Sequence, residues 1–468
     1  VGTRAGADIH GLSAYAVALT ASRRLAEATA VYQRAARGAP RSAIAEHNVA
    51  GALGAEERFA EAEAAARRAF AKGLDAPQTW LVLARALQGQ GRFDEAETAY
   101  GQAITRNPTD PDAHIDLAQL IWMRTEDVVA ALEAMDAALT LQPVNPRMTA
   151  GKARVLEYAG QESEAYAVLA RAIAQGVDDP GLHVQASHVV ARADANRALA
   201  HANRAFQLAP ASLDALSAQC LANLALGQAE TAAEQAAALR ERAPLDQHAL
   251  ALQATAWRLL GDPRYGELHD YEGLVRSWVI DTPDGWPDLD AFLRDLAQSL
   301  ERRTPLRAHP IGQSLRRGVQ SQQRLDRSDD PVIRAFFQAI DGPIRQHLQA
   351  IGTGHDPHRA RNTGDYRIAG AWSARLRPGG YHTDHLHAQG WISSACHIVV
   401  PQAVDQGQEG WLRFGQPGVP TSPALEPERF VRPEPGRLVL FPSSMWHGTV
   451  PFGGDEPRLT IAFDLLPK

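Results

Sequence analysis

The chain has 468 residues, 45% of them hydrophobic and 22% charged, with a formal charge of −7. That length implies two or more domains, and acids mixed with bases leave no basic stripe for a nucleic acid to bind. No run of about 18 apolar residues exists to span a bilayer, and the opening VGTRAGADIH lacks the basic and apolar stretches of a secretory leader, so the expectation is a cytoplasmic protein with no membrane partner.

In chain order, residues up to roughly 260 are rich in Ala, Leu, Arg and Glu, with apolar positions three and four apart in two-helix blocks. Pro77, Pro111, Pro146, Pro180, Pro210 and Pro244 mark the block ends at a spacing near 34 residues. In WLVLARALQGQGRFDEAETAYGQAITRNP, the residues Trp80, Leu83, Ala84, Leu87, Ala96, Tyr100, Ala103 and Pro108 alternate large and small as the units of a tetratricopeptide repeat do. The segment resembles that family, and about seven units can be read, the sixth of them short. Such an array predicts a superhelix whose groove holds a peptide or protein; a homodimer contact or a rigid spacer is the alternative use. His114, His183, His188 and His201 read as surface or packing histidines.

After about Gly261 the pattern changes, which divides the chain into 1–261 and 262–468. GDPRYGELHDYEGLVRSWVIDTPDGWPDLDAF reads as strands and turns. Two helices are predicted next, DLDAFLRDLAQSLERR and DDPVIRAFFQAIDGPIRQHLQAIG, the second capped by Asp329 or Asp330 with Pro331 just inside. From Tyr366 the runs RIAGAWSARL, WISSACHIVVP, GWLRFGQPG, RLVLFPSS and LTIAFDLLP alternate with Gly/Pro turns, the rhythm of an antiparallel jelly roll braced by those helices. The predicted fold class is multidomain α + β, an all-α repeat array followed by this barrel.

The two cysteines, Cys220 and Cys396, rule out a disulfide framework and a thiolate zinc site, so a metal would take nitrogen and oxygen ligands. RPGGYHTDHLHAQGWISSACHIVVP supplies His382, Asp384, His385 and His387 within six positions. Residues two apart on an extended strand face the same way, so both His382/Asp384 and His385/His387 can offer two ligands to one metal. His447 lies at the end of a later apolar strand, and Arg458 starts the next.

HLHAQGWISSACHIVVP, GWLRFGQPG, PGRLVLFPSSMWHGTVP and RLTIAFD together resemble the 2-oxoglutarate/Fe(II) oxygenase superfamily, in particular its bacterial and phage group with an H-x-H and FPS-x-x-x-H pattern. The likeness covers roughly residues 264–468, with HPIGQSLRRGVQSQQRL similar to the stretch that precedes the barrel in that group. It implies a double-stranded β-helix, Fe(II) and 2-oxoglutarate as cofactors, ascorbate as a candidate stimulant, and a dioxygenase that hydroxylates its substrate. Carried onto this sequence, it makes His447 an iron ligand and Arg458, about 11 residues later, the partner of the cosubstrate's distal carboxylate. The group's H-x-H falls on His385-Leu386-His387, the superfamily's general H-x-D on His382-Thr383-Asp384; the first pair is preferred and the second kept as the rival. His397 stands where a cosubstrate contact is expected. A peptide or protein held by the repeats is the expected substrate, with a small-molecule hydroxylase, a non-catalytic repeat scaffold or sensor, and a cupin-type dioxygenase as alternatives. For Arg458 the competing reading is a surface ion pair with Asp455 or Glu456.

Overall fold

The computed structural model describes residues 9–302 and 306–468. Two compact units form: one runs to Trp122 and includes Asp127–Gly151, and the other takes Met123–Glu126 with Lys152–Lys468.

Residues 9–242 are successive helix pairs, from Ile9–Ala21 with Leu25–Gly38 to Leu213–Ala225 with Ala229–Arg242, followed by the single helix Gln247–Leu260. Pro77, Pro111, Pro146 and Pro180 each open a helix, where a missing N–H costs nothing and the fixed φ is already helical. Pro210 and Pro244 instead sit in turns, and there Ser212 and Asp246 cap the next helix by accepting from the N–H groups of Ala215 and Ala249. The short sixth unit begins with Pro180–Val190, of 11 residues. Alanines at 62, 65, 66, 84, 96 and 103 are fully or nearly buried and let helices approach, while Leu83, Leu87 and Tyr100 fill the space between pairs.

In the second unit the helix Gln247–Leu260 is buried over most of its length, Leu252 and Ala256 completely. It has lost the polar outer face of a terminal helix because the β-rich region packs on it: the Trp446 indole N–H donates to Thr255 Oγ1 at 3.0 Å, and the Gln247 N–H donates to the Ala388 carbonyl at 3.0 Å.

Strands β1 (Arg276–Val279), β2 (Leu315–Gln320), β3 (Tyr366–His382), β4 (Ile392–Val399), β5 (Leu412–Phe414), β6 (Arg429–Val431), β7 (Arg437–Pro442), β8 (His447–Thr449) and β9 (Arg458–Pro467) make two antiparallel sheets. The larger has the order β1-β7-β4-β9-β3-β2 and the smaller β6-β5-β8. Helices Leu289–Glu301, Pro331–Ala339 and Asp341–Ile351 brace the larger sheet, with Phe292, Phe336 and Ile344 packed in one core with Leu438, Leu440, Ile461 and Phe463. The central strand β4 is consequently buried on both faces and loses the usual alternation.

Three expectations are corrected here. The segment 329–352 is two helices, broken at Ile340, because Pro343 has no N–H to give the Ala339 carbonyl; that carbonyl accepts instead from the Asp281 N–H at 3.2 Å. The stretch after Gly261 holds two helical turns, Arg264–Leu268 and Tyr271–Leu274, ahead of β1. Asp270 caps the second turn, and the hydroxyls of Tyr265 and Tyr271 both donate to Glu428. HPIGQSLRRGVQSQQRL contributes an edge strand, β2, to the larger sheet itself.

Candidate metal centre

Strand β3 ends at His382, and the chain then crosses the mouth of the small sheet. His385 and His447 meet there as an antiparallel bridge, each donating its backbone N–H to the other's carbonyl at 2.9 Å. His387, two residues on, faces the same way and is tied by its N–H to the Ser443 carbonyl at 3.0 Å. One ring nitrogen from each of His385, His387 and His447 lies within 4.8 Å of the other two.

The opposite edges of these rings decide which nitrogen is offered. Nδ1 of His385 lies 2.8 Å from the Thr383 carbonyl, Nδ1 of His447 2.9 Å from the Met445 carbonyl, and Nδ1 of His387 2.6 Å from Asp464 Oδ1. Those oxygens only accept, so each Nδ1 carries the proton and each Nε2 presents its lone pair to the cavity, that of His385 being met there by the Ser314 hydroxyl at 3.1 Å. Burial, with the neighbouring His387, pushes His385 down to about 3, and burial likewise holds His447 well below the ordinary histidine range. Burial acts in the same direction on His387, but the charge of Asp464 and its hydrogen bond more than offset it and raise the group. Asp464 is itself held by Ser393 Oγ–H at 2.7 Å. Asp464→Asn removes the charge behind His387, so it is expected to weaken divalent-metal affinity by about 10–100-fold in a calorimetric titration.

The rival pair is placed otherwise. Asp384 is locked in a two-pronged ion pair with Arg413 at 2.9 and 2.6 Å. His382 lies beside His385, and Ser314 Oγ bridges the two rings, 3.0 Å from His382 Nδ1 and 3.1 Å from His385 Nε2.

Arg458 is 2% exposed at the start of β9, which removes the reading as a surface ion pair. It donates to the Gly410 carbonyl at 2.6 Å and reaches His397 Nδ1 at 3.4 Å, its Nε has no partner, and among the described residues no carboxylate pairs with it. Burial lowers it to about 10. A buried guanidinium without a counter-charge is costly unless an anion arrives to pair with it. His397 is fully buried behind this guanidinium and is not among the residues lining the cavity.

The cavity, of about 780 Å³, is lined by the three histidines together with Arg458, Thr460, Ala462 and Asp464. These last four are one face of β9, two residues apart, so the role of Asp464 was readable from strand parity once Arg458 was placed. Ser314, by contrast, lies within the quoted stretch HPIGQSLRRGVQSQQRL, but nothing in that stretch singled it out. Trp372 and Trp446 also line the cavity, whereas Trp391 and Cys396 are fully buried core. Of the repeat histidines, His183 and His201 pack on each other, with Nδ1 atoms 3.1 Å apart.

Residues 370–464 match the family described as "Putative 2OG-Fe(II) oxygenase", and residues 81–146 match "Tetratricopeptide repeat". No curated protein matches the chain. Among solved structures it is similar to a tetratricopeptide repeat protein from Parabacteroides merdae, at 16% identity over 53% of this chain and 98% of that one, with a TM-score of 0.38. It is also similar to the C-terminal part of a TPR repeat-containing protein from Cytophaga hutchinsonii, at 14% identity over 51% of this chain and 98% of that one, with a TM-score of 0.35. The chain thus carries a tetratricopeptide repeat region followed by a region that matches the 2OG-Fe(II) oxygenase family and contains His385, His387, His447 and Arg458.

Proposed function

We propose that residues 262–468 are an Fe(II)- and 2-oxoglutarate-dependent hydroxylase with a double-stranded β-helix fold, and that the repeats of 1–261 serve it by holding a peptide or protein substrate. The observation that carries this reading is the pairing, in one cavity, of three converging imidazole nitrogens with a buried, uncompensated guanidinium.

His385, His387 and His447 would hold the iron on one side and leave its other positions open. When bound, the iron and cosubstrate supply oxidation in which dioxygen and 2-oxoglutarate yield succinate, carbon dioxide and one oxygen atom for a substrate C–H bond. Arg458 would take the distal carboxylate of 2-oxoglutarate through two parallel N–H bonds, with Phe441 and Leu412 among the apolar residues that line the same cavity. His397 positions Arg458 from behind. Asp464 holds His387 in its ligating orientation. The all-histidine cluster gives one specific reason to consider a cupin-type dioxygenase without cosubstrate, but that reading leaves the buried Arg458 without a purpose.

Anaerobic addition of Fe(II) and then 2-oxoglutarate to metal-free protein should produce the weak visible charge-transfer band of the chelate. A folded, iron-loaded protein that shows no band would overturn the hydroxylase reading.

A further inference from the structure

Two of the three histidines stand directly beside residues that the last repeat helix, Gln247–Leu260, holds in place. Trp446 precedes His447, and its indole N–H donates to Thr255 Oγ1 at 3.0 Å. Ala388 follows His387, and its carbonyl accepts the Gln247 N–H at 3.0 Å.

Chemistry fixes the direction of the first bond. An indole N–H can only donate, and the Thr255 hydroxyl spends its own proton on the Ala251 carbonyl at 2.8 Å, so what it offers Trp446 is a lone pair. A hydroxyl bonded back to the carbonyl four residues earlier does not strengthen a helix, and the bond to Trp446 is what this one contributes. Thr255 is 3% exposed and Trp446 6%, so neither group can turn to water instead. The peptide between Trp446 and His447 is held at its other atoms too. The Trp446 carbonyl accepts the Gly415 N–H at 3.0 Å, the Gly415 carbonyl accepts from Arg258 at 2.8 Å, and the His447 N–H donates to His385. His248, Thr255 and Arg258 are seven and then three residues apart and so share one helix face, where the His248 ring lies edge-on to Trp446 with centroids 6.5 Å apart. At the second contact, Gln247 is the first residue of its helix, and its N–H has no partner within the helix to lose. Its bond ties down the turn after His387, which the Gly390 N–H closes on the His387 carbonyl at 3.1 Å.

We infer that the last repeat helix is a working part of the metal centre: Thr255 is a positioning residue that sets His447 through Trp446, and the Gln247 N–H sets His387 through Ala388. This deepens the reading that His385, His387 and His447 hold a metal, and rests on it. Three imidazoles bind one ion tightly only while their nitrogens converge, so a displaced ring lowers affinity although every ligand is present. Metal affinity therefore depends on how this helix is seated on the β-rich region, and by linkage the metal stabilises that seating.

Co(II) titrated into the metal-free full chain, followed by its visible d–d absorption, tests this. Thr255→Val keeps the shape but takes the acceptor from the Trp446 N–H; it should weaken Co(II) binding by about tenfold and alter the band shape, as loss of a group behind a metal ligand does. Thr255→Ser restores the acceptor and should bind within about twofold of the parent. Trp446→Phe removes the same bond from the donor side, and the Thr255→Val/Trp446→Phe double variant should lose no more than the weaker-binding single one. Leu250→Ala, on a different face of the helix packed with Trp257 and Leu268, should lower the melting temperature and leave Co(II) affinity within about twofold. Unchanged affinity in Thr255→Val, no recovery in Thr255→Ser, or an equal loss in Leu250→Ala overturns the inference. Should Thr255→Val not fold, Trp446→Phe decides: a loss of about tenfold supports the inference and unchanged affinity overturns it. A parent chain that binds no Co(II) overturns the metal reading and this inference with it, whereas tight binding indifferent to Thr255 overturns this inference alone.

Discussion

Arg458→Met should lower the affinity for 2-oxoglutarate by about 100-fold or more while leaving the ligand-free protein at least as stable as the parent. Two charged hydrogen bonds to a carboxylate are worth about 3 kcal/mol, which corresponds to that factor. The stability half follows from the same burial. Arg458 is surrounded by protein, its Nε lacks a partner, and burial lowers it to about 10, so the folded state carries an uncompensated charge. A methionine of similar length removes that cost and forfeits mainly the bond to Gly410. Titration of the chelate band gives the affinity, and thermal denaturation without ligand gives the stability. Unchanged 2-oxoglutarate affinity would exclude Arg458 as the cosubstrate residue. A large fall in melting temperature would instead make it a structural residue.

His447→Ala should abolish tight metal binding, by more than the roughly 100-fold that loss of a supporting group behind a ligand causes, and His385→Ala should do the same. Asp384→Asn should leave metal affinity within about threefold, because its carboxylate is spent on Arg413 at 2.6 Å. It should nonetheless cost stability, about 3 kcal/mol for a largely buried ion pair broken from one side. Metal titration and denaturant unfolding on the three variants separate the two proximal pairs. If Asp384→Asn lost the metal while His385→Ala kept it, the H-x-D pair would be the ligating one.

Much of this was legible in local pattern. The repeat period and its prolines come from neighbours along the chain, and four of the six prolines open helices as that spacing requires. His447 followed by Arg458 is likewise a local relation across one turn between β8 and β9. The misread segments failed for local reasons too. The 329–352 helix contained its own breaker in Pro343, and the aromatics of 262–274 imitated strands although they serve two helical turns around Glu428.

The sequence by itself determined the two classes of structure and the set of residues able to bind a metal, because periodicity and strand parity are properties of adjacent positions. It did not determine which histidines meet. Within each of the pairs His382/Asp384 and His385/His387 the two residues share a parity, so either pair could serve, and the choice was made by the register that sets His385 opposite His447 and turns Asp384 to Arg413. Nor could it disclose that Asp214, Asp246 and His248 share the cavity of the three histidines. Those contacts join segments far apart in the chain, and only the packing of the repeat helices on the β-rich region brings them together.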